Sequence, residues 1–509
     1  MKLSQKKVGA LLSYVSEAIR ILTALIYTPI MLRLLGQSEY GLYQLVHSVV
    51  SYLSLLSLGF GSAYVRFFSR AKAKKDEHEV AKLNGMFMTI FCVISLICIL
   101  CGVVLVKNIH TVFGTGLTEA EYPTARILMI IMIANLAITF PNSVFNCIIT
   151  ANERFIFQKG LLVLHHLSSP FLTLPLLIMG YGSIGMVSVT TALTVITFLV
   201  NVYYCMVKLD TKFYFHEFDF MLLREMWMFT FFIFLNQIVD QINWSVDKFL
   251  LGRLAGTTTV AIYGVGGQIN SLYVTTSSSI SNVFGPQVNR IVSERDDNQE
   301  LSELMTKVGR VQFYIMLLVL TGFIFFGRAF VRLWAGKEYG EAFAVALLLM
   351  TPVTVPLIQN IGIEIQRAKN RHQVRSIVYM LVAIGNVMIS IPLIMHLGAT
   401  GAALGTAIAT IIGNVLFINY YYQVHLHLNM RLFWTNIIRI SRGLIIPAIC
   451  GILIHRYVDC SRWIRLGLCI MVYVAIYSAS VWFFSMNEYE KNLVAGGIRR
   501  IRKSRKQRG

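Results

Sequence analysis

Charge is scarce in this sequence. Asp, Glu, Lys and Arg make up only 14% of 509 residues, against 56% hydrophobic residues, and the mean hydropathy is +0.64. So little polar surface cannot cover a water-soluble globule of this size, and lipid must be the solvent. Alternation of polar and apolar residues in segments of about ten is also missing, which excludes a membrane β-barrel. No GxxxxGK[ST] phosphate loop occurs, so ATP hydrolysis by a P-loop mechanism is excluded. The outer loops are short, Val106 to Tyr122 and Phe326 to Glu341 being the longest, which argues against a catalytic centre built on a large external loop.

Cysteines are few and unpatterned. All eight except Cys460 lie in apolar runs, so neither a disulfide framework nor a metal site is expected. The Cys98–Cys101 CxxC sits inside the run from Ile90 to Val106 and reads as a pair of packed thiols. Gly264, Gly266 and Gly267 cluster within a span, where small residues permit close helix packing. Asp296 and Asp297 stand among Glu294, Arg295 and Glu300 and read as a solvated charge run.

What is present is a series of apolar runs of about 20 residues or more, the length that crosses roughly 30 Å of hydrocarbon as a helix. The runs predict an all-α membrane protein with about 14 spans. They fall near 8 to 35, 40 to 63, 83 to 106, 123 to 150, 160 to 180, 184 to 207 and 226 to 252. Seven more lie near 260 to 285, 309 to 327, 341 to 366, 377 to 397, 401 to 425, 437 to 457 and 462 to 485. The first run follows Lys2, Lys6 and Lys7 but continues past Glu17 and Arg20 to Leu35, so it is expected to remain as an uncleaved span.

The net charge of +20 is sorted by membrane side. With both termini placed in the cytoplasm, about 33 Lys and Arg fall in inner segments and about 9 in outer ones. Nucleic acid is therefore not an expected partner. Anionic lipid headgroups are, through the inner loop from Arg66 to Lys82 and the basic tail that includes Arg499, Arg500, Arg502 and Lys503.

An internal repeat becomes visible when the halves are overlaid at an offset of about 220. Gly36 then matches Gly256, Tyr43 matches Tyr263 and Arg70 matches Arg290. Leu177-Ile178-Met179 with Gly182 and Gly185 recurs as Leu393-Ile394-Met395 with Gly398 and Gly401, at an offset of about 216. Six intervening spans give both halves the same orientation, hence two pseudo-symmetric six-helix bundles, 1–216 and 217–430, with a site between them. Residues 431–486 form an accessory helix pair, and 487–509 a basic cytoplasmic tail.

Ionisable residues deep in a span are functional candidates by default. Arg20 and Asp240 occupy equivalent positions in the two halves. Asn236, Asp240, Asn243 and Asp247 follow i, i+4, i+7, i+11 spacing, which in a regular helix puts them on one face. Arg20 has two readings: a pair with Glu17 one turn away, or a cavity guanidinium suited to phosphate or pyrophosphate, with Asp240 its partner when substrate is absent. Asp247 and Lys248 read either as cavity groups or as an outer-end pair reaching the headgroups. Asn135, Asn142 and Asn146 share a face suited to interhelical hydrogen bonds. Asn360, Glu364 and Arg367 share another, and Glu364 with Arg367 reads as a gate or an interfacial salt bridge.

The stretch Leu34-Leu35-Gly36-Gln-Ser-Glu-Tyr40-Gly41-Leu42-Tyr43, with Leu58-Gly59-Phe-Gly61 and Arg66 after it, resembles the opening of polysaccharide-export proteins of the oligosaccharide flippase type. Ser245-Val-Asp247-Lys248 leading through Leu251-Gly252 to Tyr263 is similar to that family's seventh-span signature. The superfamily also holds multidrug exporters and the peptidoglycan-precursor flippase. The resemblance implies a V-shaped transporter, without enzymatic activity or cofactor, that moves a polyprenyl-diphosphate-linked oligosaccharide across the cytoplasmic membrane and works beside other polysaccharide-assembly proteins. It also implies basic residues in a central cavity, which Arg20 fits. A cation-coupled drug exporter is the alternative within the superfamily, and a membrane glycosyltransferase is the alternative outside it.

Overall fold

The computed structural model describes residues 5–74, 76–216, 219–281, 284–369 and 371–492. Most of the basic tail, including Arg499, Arg500, Arg502 and Lys503, lies outside the described residues. Within them the chain is helical and contains no strand. The first half runs through α1 (Gln5–Ser51), α2 (Phe60–Ala73), α3 (Glu77–Lys107), α4 (Tyr122–Ala151), α5 (Phe155–Ile178) and α6 (Gly182–Tyr203). The seventh span is α7 (Phe220–Gln241), a π-turn (Ile242–Val246) and α8 (Asp247–Ala255). There follow α9 (Thr257–Ser281), α10 (Gly285–Glu294), α11 (Asn298–Trp334), α12 (Ala342–Ile358), α13 (Asn360–Ala368), α14 (His372–Thr410), α15 (Ile418–Val424), α16 (Met430–Ile440), α17 (Ile445–Tyr457) and α18 (Trp463–Phe484).

Among the described residues nine helical stretches are long and apolar enough to cross a bilayer, or eleven when each of two bent pairs counts as one span. Two of the nine, Leu11–Ala73 and Val374–Val424, are continuous over pairs of the expected spans. The expected spans fall on helix among the described residues, but α9, which covers most of the expected 260 to 285, is not among the stretches apolar enough to cross. The expected edges are tighter than the observed ones. The clearest case is α11, which begins at Asn298 rather than near 309; at 37 residues it is ~55 Å long, more than the bilayer needs.

Where chain re-enters helix after a charged loop, a short polar side chain caps it. Asp76 accepts from the Glu79 N–H, Asp219 from Leu222, Asp297 from Gln299 and Glu300, and Asn429 from Leu432. Each cap satisfies an otherwise unpaired backbone donor and contributes about 1 kcal/mol. The 46° bend between α12 and α13 follows Pro352 and Pro356, whose missing N–H groups weaken the helix there.

The repeat found in the sequence reappears in the backbone. Gly36 has φ 75°, ψ 174° and its counterpart Gly256 φ 84°, ψ 172°. Gly182 and Gly398 both have φ 55°. A left-handed φ without strain requires glycine, and here it breaks equivalent helices at equivalent points. The surroundings correspond too. Glu39 accepts from the Ser183 N–H and hydroxyl beside Gly182, at 2.6 and 2.7 Å, while Thr259 of the second half packs beside Gly398.

The chain divides into two compact units, Met1–Gly264 with Ile391–Ala402, and Val265–Ser390 with Ala403–Gly509. In the first, α2, α3 and α4 close over an aromatic core of Phe60, Tyr64, Phe67, Phe87, Phe91, Phe140 and Phe145. Within it the Tyr64 hydroxyl donates to Asn84 at 2.6 Å. Glu121, just before α4, ties the two glycine breaks together. Its Oε1 accepts from the Ser38 and Thr257 hydroxyls at 2.7 and 2.9 Å, and its Oε2 from the Thr118 N–H and hydroxyl, both at 2.9 Å. Partial burial opposes the charge, but these four donors outweigh it and hold the carboxyl below its ordinary pKa.

In the second unit α11 is the strut against which α17 and α18 are fastened. Tyr473 donates to the Thr321 hydroxyl and Tyr477 to the Tyr314 carbonyl, both at 2.8 Å. Below them lies a buried ion pair. Arg310 Nε donates to Glu490 Oε1 at 2.6 Å and Nη2 to Oε2 at 2.9 Å, with further donation to the Asn436 and Ser485 carbonyls and to the Tyr314 hydroxyl. Only 7% and 4% of these two side chains is exposed, so each charge depends on the other.

Two expectations follow. Glu490→Ala leaves the Arg310 charge buried and unpaired, and should lower stability by about 3–5 kcal/mol in denaturant titration of the solubilised protein, whereas Arg310→Met with Glu490→Leu costs less. A carboxyl whose folded pKa is depressed stabilises above its unfolded value and loses that contribution as pH falls through the folded value. The thermal midpoints of wild type and Glu121→Gln should therefore differ most near neutrality and converge in acid below the ordinary carboxylate range.

Candidate functional site

On α1, Tyr40, Gln44, His47 and Ser51 fall at i, i+4, i+7 and i+11 and form one polar stripe. A second stripe faces it from the seventh span. Gln241 donates to the hydroxyls of Ser51 and Ser245 at 2.5 and 2.7 Å, and the two hydroxyls are 3.2 Å apart. Lys248 Nζ donates to Gln44 Oε1 at 3.0 Å, while Gln44 Nε2 donates to the Tyr40 hydroxyl at 2.7 Å. The Tyr43 ring lies between those of Tyr40 and His47, with centroids 6.4 and 6.0 Å away.

These stripes can approach because the helices between them meet backbone to backbone. A Cβ on Gly41 would lie 1.8 Å from the Thr257 carbonyl oxygen, one on Gly116 1.9 Å from that of Gly252, and one on Gly252 would enter the Leu45 side chain. The Gly41 and Gly252 of the resemblance motifs are thus the residues that bring α1 against α8 and α9.

A π-turn interrupts the seventh span and re-aims Asp247. One extra residue in a turn rotates everything after it by about 100° relative to a regular helix. Asp247, which regular spacing aligns with Asp240, is instead turned inward, 1% exposed, and accepts from the Tyr263 hydroxyl at 2.6 Å. It does not reach the headgroups. Its neighbour Lys248 faces Gln44 of α1. Asp240 is exposed and Asn243 half-buried; the side chain of Asn236 lies outside the described residues.

Arg20 makes a two-pronged pair with Glu17, Nε to Oε2 at 3.1 Å and Nη2 to Oε1, and the side chains remain 38% and 35% exposed. Glu364 and Arg367 form a 2.9 Å salt bridge along α13, with Arg367 largely exposed. On α4 the asparagines bond across helices: Asn135 donates to Thr191 and Thr194 at 3.3 and 3.0 Å, and Asn142 accepts from Asn201 at 2.9 Å.

The basic loop from Arg66 to Lys82 is less bare than its composition suggests. Arg70 lies 3.5 Å from Glu225 and Lys74 3.3 Å from Glu79, around a cavity of about 380 Å³ floored by Phe67, Leu83 and Met86. Asp296 pairs with Lys369 at 2.7 Å and Asp297 caps α11, both structural roles. Among the described residues no group of three or more His, Cys, Asp or Glu could hold a metal ion.

Sequence reasoning passed over the α1 stripe and the trio Gln241, Ser245 and Lys248. The signal was present, since both sets have helical spacing. Uncharged Tyr, Gln and Ser carry little weight in a search for intramembrane charges, however, and no residue pattern announced the π-turn.

Solved structures share this architecture. The lipid II flippase MurJ in an inward closed conformation superimposes with a TM-score of 0.73 over 94% of this chain and 98% of its own, at 16% identity. An inward-facing multidrug resistance MATE family transporter of the MOP superfamily gives 0.65 over 82% and 99%, at 15% identity. The uncharacterized membrane protein EpsK of Bacillus subtilis (strain 168) is 22% identical over 396 residues, 77% of each chain. Residues 7–291, more than half the sequence, match the family model described as polysaccharide biosynthesis protein. That span contains both stripes, the matched breaks at Gly36 and Gly256 and all the resemblance motifs, and the chain belongs to the polysaccharide biosynthesis protein family.

Proposed function

We propose that this protein is a flippase that carries a polyprenyl-diphosphate-linked oligosaccharide from the inner to the outer leaflet of the cytoplasmic membrane by alternating access, in the service of cell-surface polysaccharide assembly. The diphosphate-sugar head cannot cross hydrocarbon unaided, whereas its polyprenyl tail can stay in lipid. A polar cleft lined for the head is enough, and no covalent step is required.

The observation that carries this reading is the pair of stripes. Sugar hydroxyls are matched by hydroxyl and amide groups, which Tyr40, Gln44, Ser51, Gln241 and Ser245 supply. A diphosphate calls for a cation. Among the described residues no carboxylate pairs with Lys248, whose ammonium rests on the neutral Gln44 amide and keeps donors to spare. Arg20, by contrast, is matched by Glu17. The lobes 1–216 and 217–430 would alternate about the joint of α1 with α8 and α9, with Glu364 and Arg367 at an inner gate and Asp240 within the cavity. The inner basic segments, on this reading, rest on anionic headgroups.

Replacing a charged hydrogen-bonding group weakens an anion contact by about 1.5–3 kcal/mol. Lys248→Ala should therefore cut surface glycan at least about tenfold at unchanged membrane levels of the protein, while Lys248→Arg retains most of it. Normal glycan display by the alanine variant would remove Lys248 from the substrate path. For orientation, a cysteine at Glu119 should react with an impermeant maleimide in intact cells above the wild-type background, and one at Glu77 only after lysis. The reverse pattern would invert the assignment of sides.

A further inference from the structure

The Glu17–Arg20 pair does not stand alone. Helix α1 packs most extensively along α5, and two contacts fix their register. A Cβ at Gly9 would meet Phe155, and the Tyr27 hydroxyl lies beside the Thr173 side chain. Both pairs differ by 146 in residue number, so the helices run side by side in the same direction. The same offset sets Arg20 level with His166. His166 acts electrostatically on Glu17, and Arg20 and Glu17 both act on His166.

The neighbourhood contains few other ionisable groups. His165 is next along α5, its ring centroid 6.0 Å from that of His166. Tyr14 is one turn from Glu17 on α1. Of the other helices packed on α5, α4 carries Tyr122 and Arg126 near its start and Cys147 near its end, and α6 carries only Tyr203 at its end. A carboxylate, a guanidinium and an imidazole thus share one level of the bilayer, with Arg33, Glu39, Arg126 and Lys159 of these helices at other levels. Such a set is expensive in hydrocarbon and marks an ion or proton path.

We infer that His166 is the proton acceptor of a switch that transfers Glu17 from Arg20 to the imidazolium and so presents the Arg20 guanidinium to the diphosphate of the substrate. With His166 neutral, Glu17 neutralises Arg20. A proton taken from water by the imidazole creates a second cation competing for the one carboxylate. Arg20, always protonated and forked, can then bind a phosphate through two donors. Linkage requires the converse: a diphosphate on Arg20 releases Glu17 to His166 and draws in a proton. The protonation step belongs to the three side chains alone, and only the identity of the anion rests on the flippase reading.

Two measurements on the full-length protein test this. In weakly buffered nanodiscs near pH 6.5, farnesyl diphosphate should drive uptake approaching one proton per bound probe in wild type and in His165→Gln, and none in His166→Gln. Binding without uptake in wild type, or equal uptake in His166→Gln, overturns the switch. Separately, with no ligand, the His166 resonance in histidine-labelled protein should titrate with a midpoint moved by about one pH unit, in opposite senses, in Glu17→Gln and Arg20→Gln. A midpoint that neither substitution moves also overturns it. Failure of farnesyl diphosphate to bind, with the titration shifts intact, counts against the substrate assignment and leaves the proton switch standing.

Discussion

A peptide group left unpaired in hydrocarbon costs several kcal/mol, and this constraint governs where the chain can bend. A helix satisfies its own backbone, so each departure from helix must be small, capped or covered by a neighbour. The departures fall into a few kinds. Glycines with left-handed φ break helices in matched pairs, Gly36 with Gly256 and Gly182 with Gly398. Prolines bend α12 into α13, a π-turn interrupts the seventh span, and Asp or Asn caps begin the helices that leave charged loops. The fold is a set of long rods articulated at these points.

Polar side chains follow the same logic. A buried group is tolerated where a partner is fixed in place, as Asp247 is by Tyr263 or Arg310 by Glu490 and two carbonyls. The first of these pairs holds α8 to α9, and the second fastens the last span to α11. The second gives the appended helices a mechanical identity, since α18 and the segment after it are bonded to the strut at three depths, through Tyr473, Tyr477 and the ion pair, and α16 through the Asn436 carbonyl. They are an integral layer of the second unit.

Much of this was legible in the sequence because lipid enforces simple rules. The all-helical membrane class follows from the length of apolar runs, and the repeat follows from glycines that no other residue can replace without strain. Gly36, Gly182, Gly256 and Gly398 align by residue identity alone, and all four have positive φ in the structure. The candidate site was less legible. Its charged members stand out against an apolar background, but its neutral members do not, and the alignment of Asn236, Asp240, Asn243 and Asp247 presumes a uniform 3.6 residues per turn. A single wide turn at Ile242–Val246 breaks that presumption, and helix pitch has no residue code of its own.

That wide turn has an electrostatic consequence. In a regular seventh span the carboxylate of Asp247 would lie in line with Asp240 and add a second negative charge to that face. With one residue more in the turn, the carboxylate leaves that face for the Tyr263 hydroxyl, while the ammonium beside it faces Gln44. Two adjacent side chains of opposite sign are thereby committed to different helices, the carboxylate to α9 and the ammonium to α1.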